Sequence, residues 1–124
     1  MSTKEIGDFG EACVEEYIKK AGYKVIEKNY HTRFGEIDII AKDKECMVFI
    51  EVKTRKSNLY GNASEFVDIR KQKRIIKSAV CYLEDIENTE IRFDVAEVYY
   101  MEKDNKFILK EINYIENAFF AEGI

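Results

Sequence analysis

Two neighbouring apolar segments constrain the fold of this chain more than any other feature: GEIDIIAKD at residues 35–43 and CMVFIEVK at residues 46–53. Each is typical of a β-strand, and two polar residues separate them, which predicts an antiparallel hairpin with a two-residue loop. Charges interrupt both runs, at Asp38 in the first and at Glu51 and Lys53 in the second. Buried strands normally avoid such side chains, so their positions indicate a function.

The hairpin register predicts how these charges meet. With a two-residue loop, Asp38 lies opposite Glu51, and Glu36 lies opposite Lys53. Because side chains alternate along a strand, all four would share one face of the sheet. Two opposed carboxylates repel each other, and near apolar neighbours such as Phe49 one of them would take up a proton unless a cation lay between them.

The residue types on this face favour a hard divalent cation. Carboxylate ligands without His or Cys suit Mg²⁺ or Mn²⁺ better than Zn²⁺, and Mg²⁺ commonly completes its shell with water and substrate phosphate oxygens. Lys53 would orient or help to deprotonate the attacking water. The pattern therefore predicts metal-assisted hydrolysis of a phosphodiester. An exposed strand face carrying ordinary Glu–Lys and Asp–Lys ion pairs is the alternative interpretation.

The charge distribution along the chain indicates whether nucleic acid is a plausible partner. A net charge of −4 and a pI near 5.2 argue mildly against nucleic acid, but residues 51–78 carry eight basic and three acidic side chains. Within this segment a helix is predicted from Ser64, as a possible N-cap, to about Glu87. Four of its cationic residues are spaced three or four apart and would share one face: Arg70, Lys73, Arg74 and Lys77.

The whole chain, residues 1–124, is predicted to form a single α/β domain with helices packed against a central mixed sheet. The predicted order is α-β-β-β-α-β-β. The first helix runs to Ala21 and Gly22 follows as a C-cap. The strands outside the hairpin are predicted at Tyr23–Tyr30, Glu90–Tyr100 and Lys106–Tyr114.

Three cysteines, Cys13, Cys46 and Cys81, show no CxxC spacing and are expected to be reduced core residues. The opening residues lack the apolar region of a signal peptide, and no apolar run approaches the roughly 18 residues that span a bilayer. A soluble, cytoplasmic protein without a membrane partner is therefore expected.

The ordered motifs resemble a known family. Asp38 followed by Glu51-Val52-Lys53 is similar to the D…(D/E)xK core of restriction-endonuclease-like, or PD-(D/E)xK, nucleases. The segments GEACVEEYIKKAGYKVIEKNY, GEIDIIAKD, VFIEVKTR, KQKRI and RFDV together resemble the YraN-like family of small bacterial proteins, related to archaeal Holliday-junction resolvases. The likeness covers the chain from about Gly7 to Val95. It departs at Ile37, where the nuclease motif usually has Pro.

The resemblance implies a restriction-endonuclease-like fold and a role for each motif residue. Asp38, Glu51 and a helical carboxylate, Glu11, would bind Mg²⁺ or Mn²⁺, and Lys53 would be the catalytic lysine. Gln72 matches a residue that related nucleases hold near the active site. The remaining candidates are contacts to nucleic acid: Arg55, Arg70, Lys71, Lys73, Arg74 and Lys77.

The sequence therefore predicts a metal-dependent endodeoxyribonuclease, with branched or junction DNA as the expected substrate class. Two other functions stay open at this point. One is a nucleic-acid-binding module that keeps the fold without turnover, and the other is a protein-interaction adaptor that uses the acidic C-terminal third. Resolvases act as dimers, so a homodimer is a further expectation, although no sequence feature identifies its interface.

Overall fold

The computed structural model describes residues 2–57, 67–84 and 87–121. Within these ranges, two helices and five strands follow one another in the predicted order α-β-β-β-α-β-β. Their bounds are α1 Thr3–Lys20, β1 Lys24–Thr32, β2 Gly35–Asp43, β3 Cys46–Lys56, α2 Ile69–Tyr82, β4 Ile91–Lys103 and β5 Lys106–Phe119.

Helix α1 begins at a complete capping box. The Ser2 hydroxyl accepts from the Glu5 N–H, while the Ser2 N–H donates to the Glu5 carboxylate at 3.2 Å. The helix ends at Lys20 with Ala21 as its C-cap, and Gly22 follows with φ +94, a conformation that glycine adopts without strain. The predicted helix and its glycine stop are therefore confirmed.

Helix α2 is shorter than the sequence predicts. Its N-cap is Asp68, whose carboxylate accepts from the Lys71 N–H at 2.9 Å. The predicted cap, Ser64, lies outside the described residues. The helix ends at Tyr82, so the predicted end near Glu87 is wrong. Leu83 is the C-cap with extended backbone, at φ -78 and ψ 130, and its side chain packs against the α2-face core.

One mixed sheet carries all five strands in the spatial order β1-β2-β3-β4-β5. Strands β3 and β4 are parallel, with α2 as their crossover, and every other neighbouring pair is antiparallel. The expected mixed α/β architecture is therefore confirmed. None of the helices in the described parts of the chain is long and apolar enough to cross a bilayer.

The sheet has a hydrophobic core on each face, with one helix covering each. Successive side chains of β2, β3 and β4 point alternately into the two cores. On β3, for example, Phe49 lies in the core under α2 and Ile50 in the core under α1. The α2 face buries Ile37, Ile40, Phe49, Val67, Ile75, Ile76, Ala79, Phe93, Val95 and Phe119. The α1 face buries Val14, Ile18, Ile39, Ala41, Cys46, Val48, Ile50, Ala96 and Val98.

Two local predictions need correction. All three cysteines are free, and Cys46 is buried, but Cys81 is exposed and Cys13 only half-buried. Cys81 lies in the last turn of α2, on the side turned away from the sheet.

Strand β5 continues past its predicted end at Tyr114, because Phe119 packs into the α2-side core at 7% exposure.

A buried polar network explains the RFDV motif of β4. Asp94 is fully buried and accepts hydrogen bonds from Arg92, from the Tyr114 hydroxyl and from the Asn117 N–H. Arg92 also donates to Asp43 at 3.1 Å, at the end of β2. Burial by itself would lower the pKa of Arg92, but its bonds to Asp94 and Asp43 hold that pKa above the usual value. The network ties β2, β4 and β5 together.

Candidate functional site

The site lies where strands β2 and β3 stop pairing. Their ladder runs from Asp43–Cys46 to Ile39–Ile50 in the predicted register and ends there, while β3 continues beside β4 to Lys56. Beyond the last pair, the Val52 N–H donates to Asp38 Oδ2 at 2.8 Å. A carboxylate thus replaces the strand partner, and the two strands form a fork with Asp38 inside it.

The backbone of β2 departs from strict alternation at this point. Ile37 and Ile40 both pack into the core on the α2 face, although residues an odd number apart should face opposite sides. On β1, Asn29 lies between the partners of Ile37 and Ile39 and has φ +53. The change of side lies next to the end of the β2–β3 ladder, where Asp38 contacts β3.

Asp38 and Glu51 form a pair of interacting carboxyl groups. The pKa of Asp38 is raised to about 8. Burial is the largest cause of this rise, and a side-chain hydrogen bond with Glu51 and charge repulsion from Glu51 add to it. The Val52 N–H and the Lys71 ammonium act in the opposite direction but do not offset this. The repulsion predicted between the two carboxyl groups is therefore present, although they are not strand partners.

Glu51 is the more buried member, with 7% exposure. Lys71 Nζ of α2 lies 3.2 Å from Glu51 Oε2, but it is not aligned for a hydrogen bond. Among the described residues, Glu51 Oε2 is the buried side-chain oxygen that has no hydrogen-bond partner. Such an atom normally has a ligand or an ion to satisfy it.

Glu11 approaches the pair from α1. Burial is the main cause that raises the pKa of Glu11, and the charge of Asp38 is the next, which places the two carboxyl groups in the same electrostatic environment. The preceding residue, Gly10, is buried against β3, and a Cβ there would lie 1.9 Å from Thr54 Oγ1. The missing side chain lets α1 approach β3 closely enough to bring Glu11 near Asp38.

The position of Lys53 differs in part from the prediction. Its register partner is Glu97 on β4, while Glu36 pairs with His31 on β1. The predicted pairing of Glu36 with Lys53 is therefore wrong, because the fork has already separated β2 from β3. Lys53 is half-buried and, by alternation, shares the sheet face of Glu51.

The cationic face of α2 joins the β1–β2 turn beside the site. The Thr32 and Ser78 hydroxyls lie 2.8 Å apart and fasten the turn to the helix. At the turn, the Phe34 ring lies 4.8 Å from the Arg33 guanidinium and 5.5 Å from Lys77 Nζ. The exposed cations of α2 are Arg70, Lys71, Lys73, Arg74 and Lys77.

Two further predicted contacts occupy different positions. Gln72 is half-buried, and its side-chain amide donates to the Val67 carbonyl at 2.7 Å, which stabilises the start of α2. Arg55 is half-buried on β3, beside Tyr99 of β4. By alternation it shares the face of Lys53 and lies further along the strand from the fork.

The residues at the fork fit a hard divalent cation. They supply carboxylate oxygens, one of them buried without a hydrogen-bond partner, and a repulsion that a cation would relieve. Within residues 2–57, 67–84 and 87–121, no three His, Cys, Asp or Glu side chains are grouped as a ready-made metal site. Asp38 and Glu51 would therefore be the protein ligands, with Glu11 next to them. Mg²⁺ often binds through one or two carboxylates, water and substrate phosphates.

Sequence reasoning misses two features of the site. It predicts that Lys71 contacts phosphate but does not predict that Lys71 Nζ lies 3.2 Å from Glu51 Oε2. One signal is available, since a lysine in the first turn of a helix is disfavoured by the helix dipole and needs a nearby anion. The fastening of Thr32 to Ser78 carries no sequence signal, because the two residues are far apart in the chain.

These observations define an α/β protein with a paired-carboxylate site at a fork in its sheet. Its residues 10–98 match the model of the uncharacterised protein family UPF0102. A UPF0102 protein of Clostridioides difficile strain 630 is 46% identical over 121 residues, which cover 96% of this chain and 100% of that relative. A UPF0102 protein of Clostridium botulinum strain Kyoto is 48% identical over 119 residues, or 94% of each chain.

The chain therefore belongs to the UPF0102 family. This confirms the expected membership of the YraN-like group. The matched region contains Glu11, Asp38, Glu51 and Lys53.

Proposed function

We propose that this protein is a metal-dependent nuclease that hydrolyses phosphodiester bonds in DNA. The observation that carries the proposal is the Asp38–Glu51 pair at the fork, in which Asp38 is half-buried and Glu51 is buried, with the Glu51 Oε2 oxygen lacking a hydrogen-bond partner among the described residues. Two carboxyl groups that repel each other in a half-closed site destabilise the fold, which favours a function that uses them. Mg²⁺ or Mn²⁺ would polarise the scissile phosphate and neutralise its developing charge.

Four side chains of the protein would bind the metal or position the water and the phosphate. Asp38, held by the Val52 N–H, and Glu51, held in the sheet, offer oxygens in fixed positions. Lys53 faces the same side as Glu51 and would orient the attacking water and contact the phosphate. Glu11 would add negative charge from the side of α1. The family resemblance suggests the same roles.

The cationic face of α2 supports nucleic acid as the substrate. Five exposed cations lie on this helix, and the Arg33–Phe34 turn extends their surface. Phosphate binding by such a surface is independent of base sequence and depends strongly on salt. The net charge of −4 does not prevent this, because the acidic side chains lie mostly outside residues 51–78.

We propose further that the fold is restriction-endonuclease-like. The order α-β-β-β-α-β-β, the mixed five-stranded sheet and the two motif carboxyl groups at the fork support this assignment. Branched or junction DNA is the substrate class implied by the likeness to archaeal resolvases. A homodimer would suit the two symmetric cuts that a junction presents.

Cleavage assays test the proposal. Purified protein is incubated with junction, flap and single-stranded DNA in Mn²⁺ or Mg²⁺, beside Asp38→Ala and Glu51→Ala. We expect metal-dependent products from the wild type and from Asp104→Asn, a control at an exposed turn residue whose φ of 52 suits Asn. Cleavage that persists in both carboxylate variants would identify a contaminant and overturn the assignment.

The same assay separates the alternative functions. Salt-sensitive DNA binding without products in any metal would favour a nucleic-acid-binding module, which the α2 surface alone could support. An absence of DNA binding, together with a stable protein partner, would favour an adaptor instead.

A further inference from the structure

Lys71 occupies an unusual place for a lysine. It lies in the first turn of α2, where Asp68 is the N-cap and no acidic side chain follows within the turn. The positive end of the helix dipole disfavours a cation at this position. A compensating anion is present across the site, since Lys71 Nζ lies 3.2 Å from Glu51 Oε2.

The contact between Lys71 and Glu51 is ionic and easily exchanged. The ammonium is not aligned for a hydrogen bond with the oxygen, so the attraction is mainly electrostatic. The Lys71 side chain is 51% exposed, whereas that of Glu51 is 8% exposed. The lysine can therefore leave toward solvent by changing rotamers, while the carboxylate stays fixed in the sheet.

The same oxygen is the one that a divalent cation would use. Glu51 Oε2 has no hydrogen-bond partner among the described residues, and Lys71 is the cation next to it. The positive charge of Lys71 also acts to lower the pKa of Asp38. An ammonium and a divalent cation at one carboxylate oxygen repel each other, so the two occupants exclude one another.

We infer that Lys71 is a built-in counter-ion of the carboxylate pair, which a divalent cation displaces. The displaced ammonium then turns to the nucleic-acid phosphate held along α2, as a positioning residue. This inference rests on the proposed function and adds to it an order of events. The cation binds first and releases Lys71, so cation and DNA strengthen each other's binding.

Cation affinity provides the first test, and it does not involve cleavage. Mn²⁺ binding is measured by calorimetry without DNA, in mildly alkaline buffer, for wild type, Lys71→Met and Lys73→Met. Lys73→Met removes the same charge from the same exposed helix, so it controls for the general field of α2. We expect Lys71→Met to bind Mn²⁺ about tenfold more tightly than Lys73→Met, because the competing charge is gone.

Lysine acylation followed by mass spectrometry provides the second test. Lys71 should react more slowly than Lys73 and Lys77 in EDTA, and its reactivity should rise when Mg²⁺ is added. The other two lysines should show little change. Asp38→Asn should abolish the response to Mg²⁺ if it reports cation binding at the fork.

The outcomes distinguish this inference from the proposed function. Asp38-dependent Mn²⁺ binding with equal affinity in Lys71→Met and Lys73→Met would overturn the counter-ion role and leave the nuclease proposal standing. Failure of Mn²⁺ and Mg²⁺ to bind the wild type would overturn both. Tighter Mn²⁺ binding in Lys71→Met, together with the Mg²⁺-dependent rise in Lys71 reactivity, is the result that supports the inference.

Discussion

Asp38 Oδ2 accepts a 2.8 Å hydrogen bond from the main-chain N–H of Val52, and this bond joins β2 to β3 just beyond their last ladder pair. One residue away, Glu51 couples to the same aspartate through its side chain. The bond thus closes the fork structurally and holds one of the two candidate metal ligands in place. The same carboxyl group thus belongs both to the packing of the sheet and to the proposed cation site.

The protonation of Asp38 should make the stability of the metal-free protein depend on pH. Its pKa is about 8 in the folded state and near its ordinary value of 3.8 in the unfolded chain. Between these values the folded state binds more protons than the unfolded state, so the free energy of unfolding falls as pH rises. The contribution is complete below about pH 4 and is lost as pH passes through about 8.

Urea denaturation in EDTA measures this dependence. From about pH 5 to about pH 8, wild type should lose stability relative to Asp38→Asn, which has no proton to release at this position. Parallel stability curves for the two proteins would show that Asp38 is ionised in the folded state throughout.

Gly10 should be essential to the approach of α1. In Gly10→Ala the new Cβ would overlap Thr54 Oγ1, at 1.9 Å, so the helix must shift or Thr54 must rotate. We expect a loss of about 1–3 kcal/mol in the free energy of unfolding. Weaker Mn²⁺ binding should accompany it, because Glu11 moves with the helix.

Gly7→Ala is the matched control on the same helix. No atom lies within 4 Å of a Cβ built at Gly7, so alanine should stabilise α1 by up to about 1 kcal/mol. Equal effects of the two substitutions in urea denaturation would contradict the close packing of Gly10.

The buried network on β4 should contribute strongly to the stability of the sheet, because it ties β2, β4 and β5 together. Asp94→Ala leaves Arg92 without its main partner in a position where the Arg92 side chain is only 11% exposed. Removal of one member of a buried ion pair typically costs about 3–5 kcal/mol. A loss below about 1 kcal/mol in urea denaturation would show that the network is dispensable, with Asp104→Asn as the exposed control, since Asn tolerates the φ of 52 at that position.

DNA affinity should depend on the cations of α2. A triple variant replaces three of them by Gln: Arg70, Arg74 and Lys77. In this variant the slope of log affinity against log salt should become shallower by about 0.9 for each phosphate that the helix no longer neutralises. The control variant replaces Lys103, Lys106 and Lys110, which lie on the β4–β5 hairpin, so that the same charge is removed. Equal slopes for the two variants would place the DNA elsewhere on the molecule.

Much of the fold follows from the sequence, because its patterns are local. Alternation in β2 and β3, together with a two-residue loop, predicts the correct register from Ile39–Ile50 to Asp43–Cys46. The predicted end of α2 is wrong, since the backbone becomes extended at Leu83, whose side chain packs against the core, and sequence periodicity does not show that change. The extension of β5 to Phe119 depends on a core position that no local pattern shows.

The composition of the site follows from the sequence, but its detailed geometry does not. Asp38 and Glu51 do meet, yet through their side chains at a fork rather than as opposed residues in a ladder. The departure from the ladder depends on how β3 divides its pairing between β2 and β4, which is a property of the whole sheet. The role of Lys71 depends on where α2 docks, and sequence spacing does not contain that information.

Mn²⁺ binding to the carboxylate pair tests the central claim most directly. Calorimetry on the wild type, Asp38→Asn, Glu51→Gln and the control Asp104→Asn measures it without DNA or turnover. We predict a Mn²⁺ site in the wild type and in the control that is abolished, or at least about tenfold weaker, in each carboxylate variant. Absence of binding in the wild type, or equal binding in all four proteins, would contradict the account.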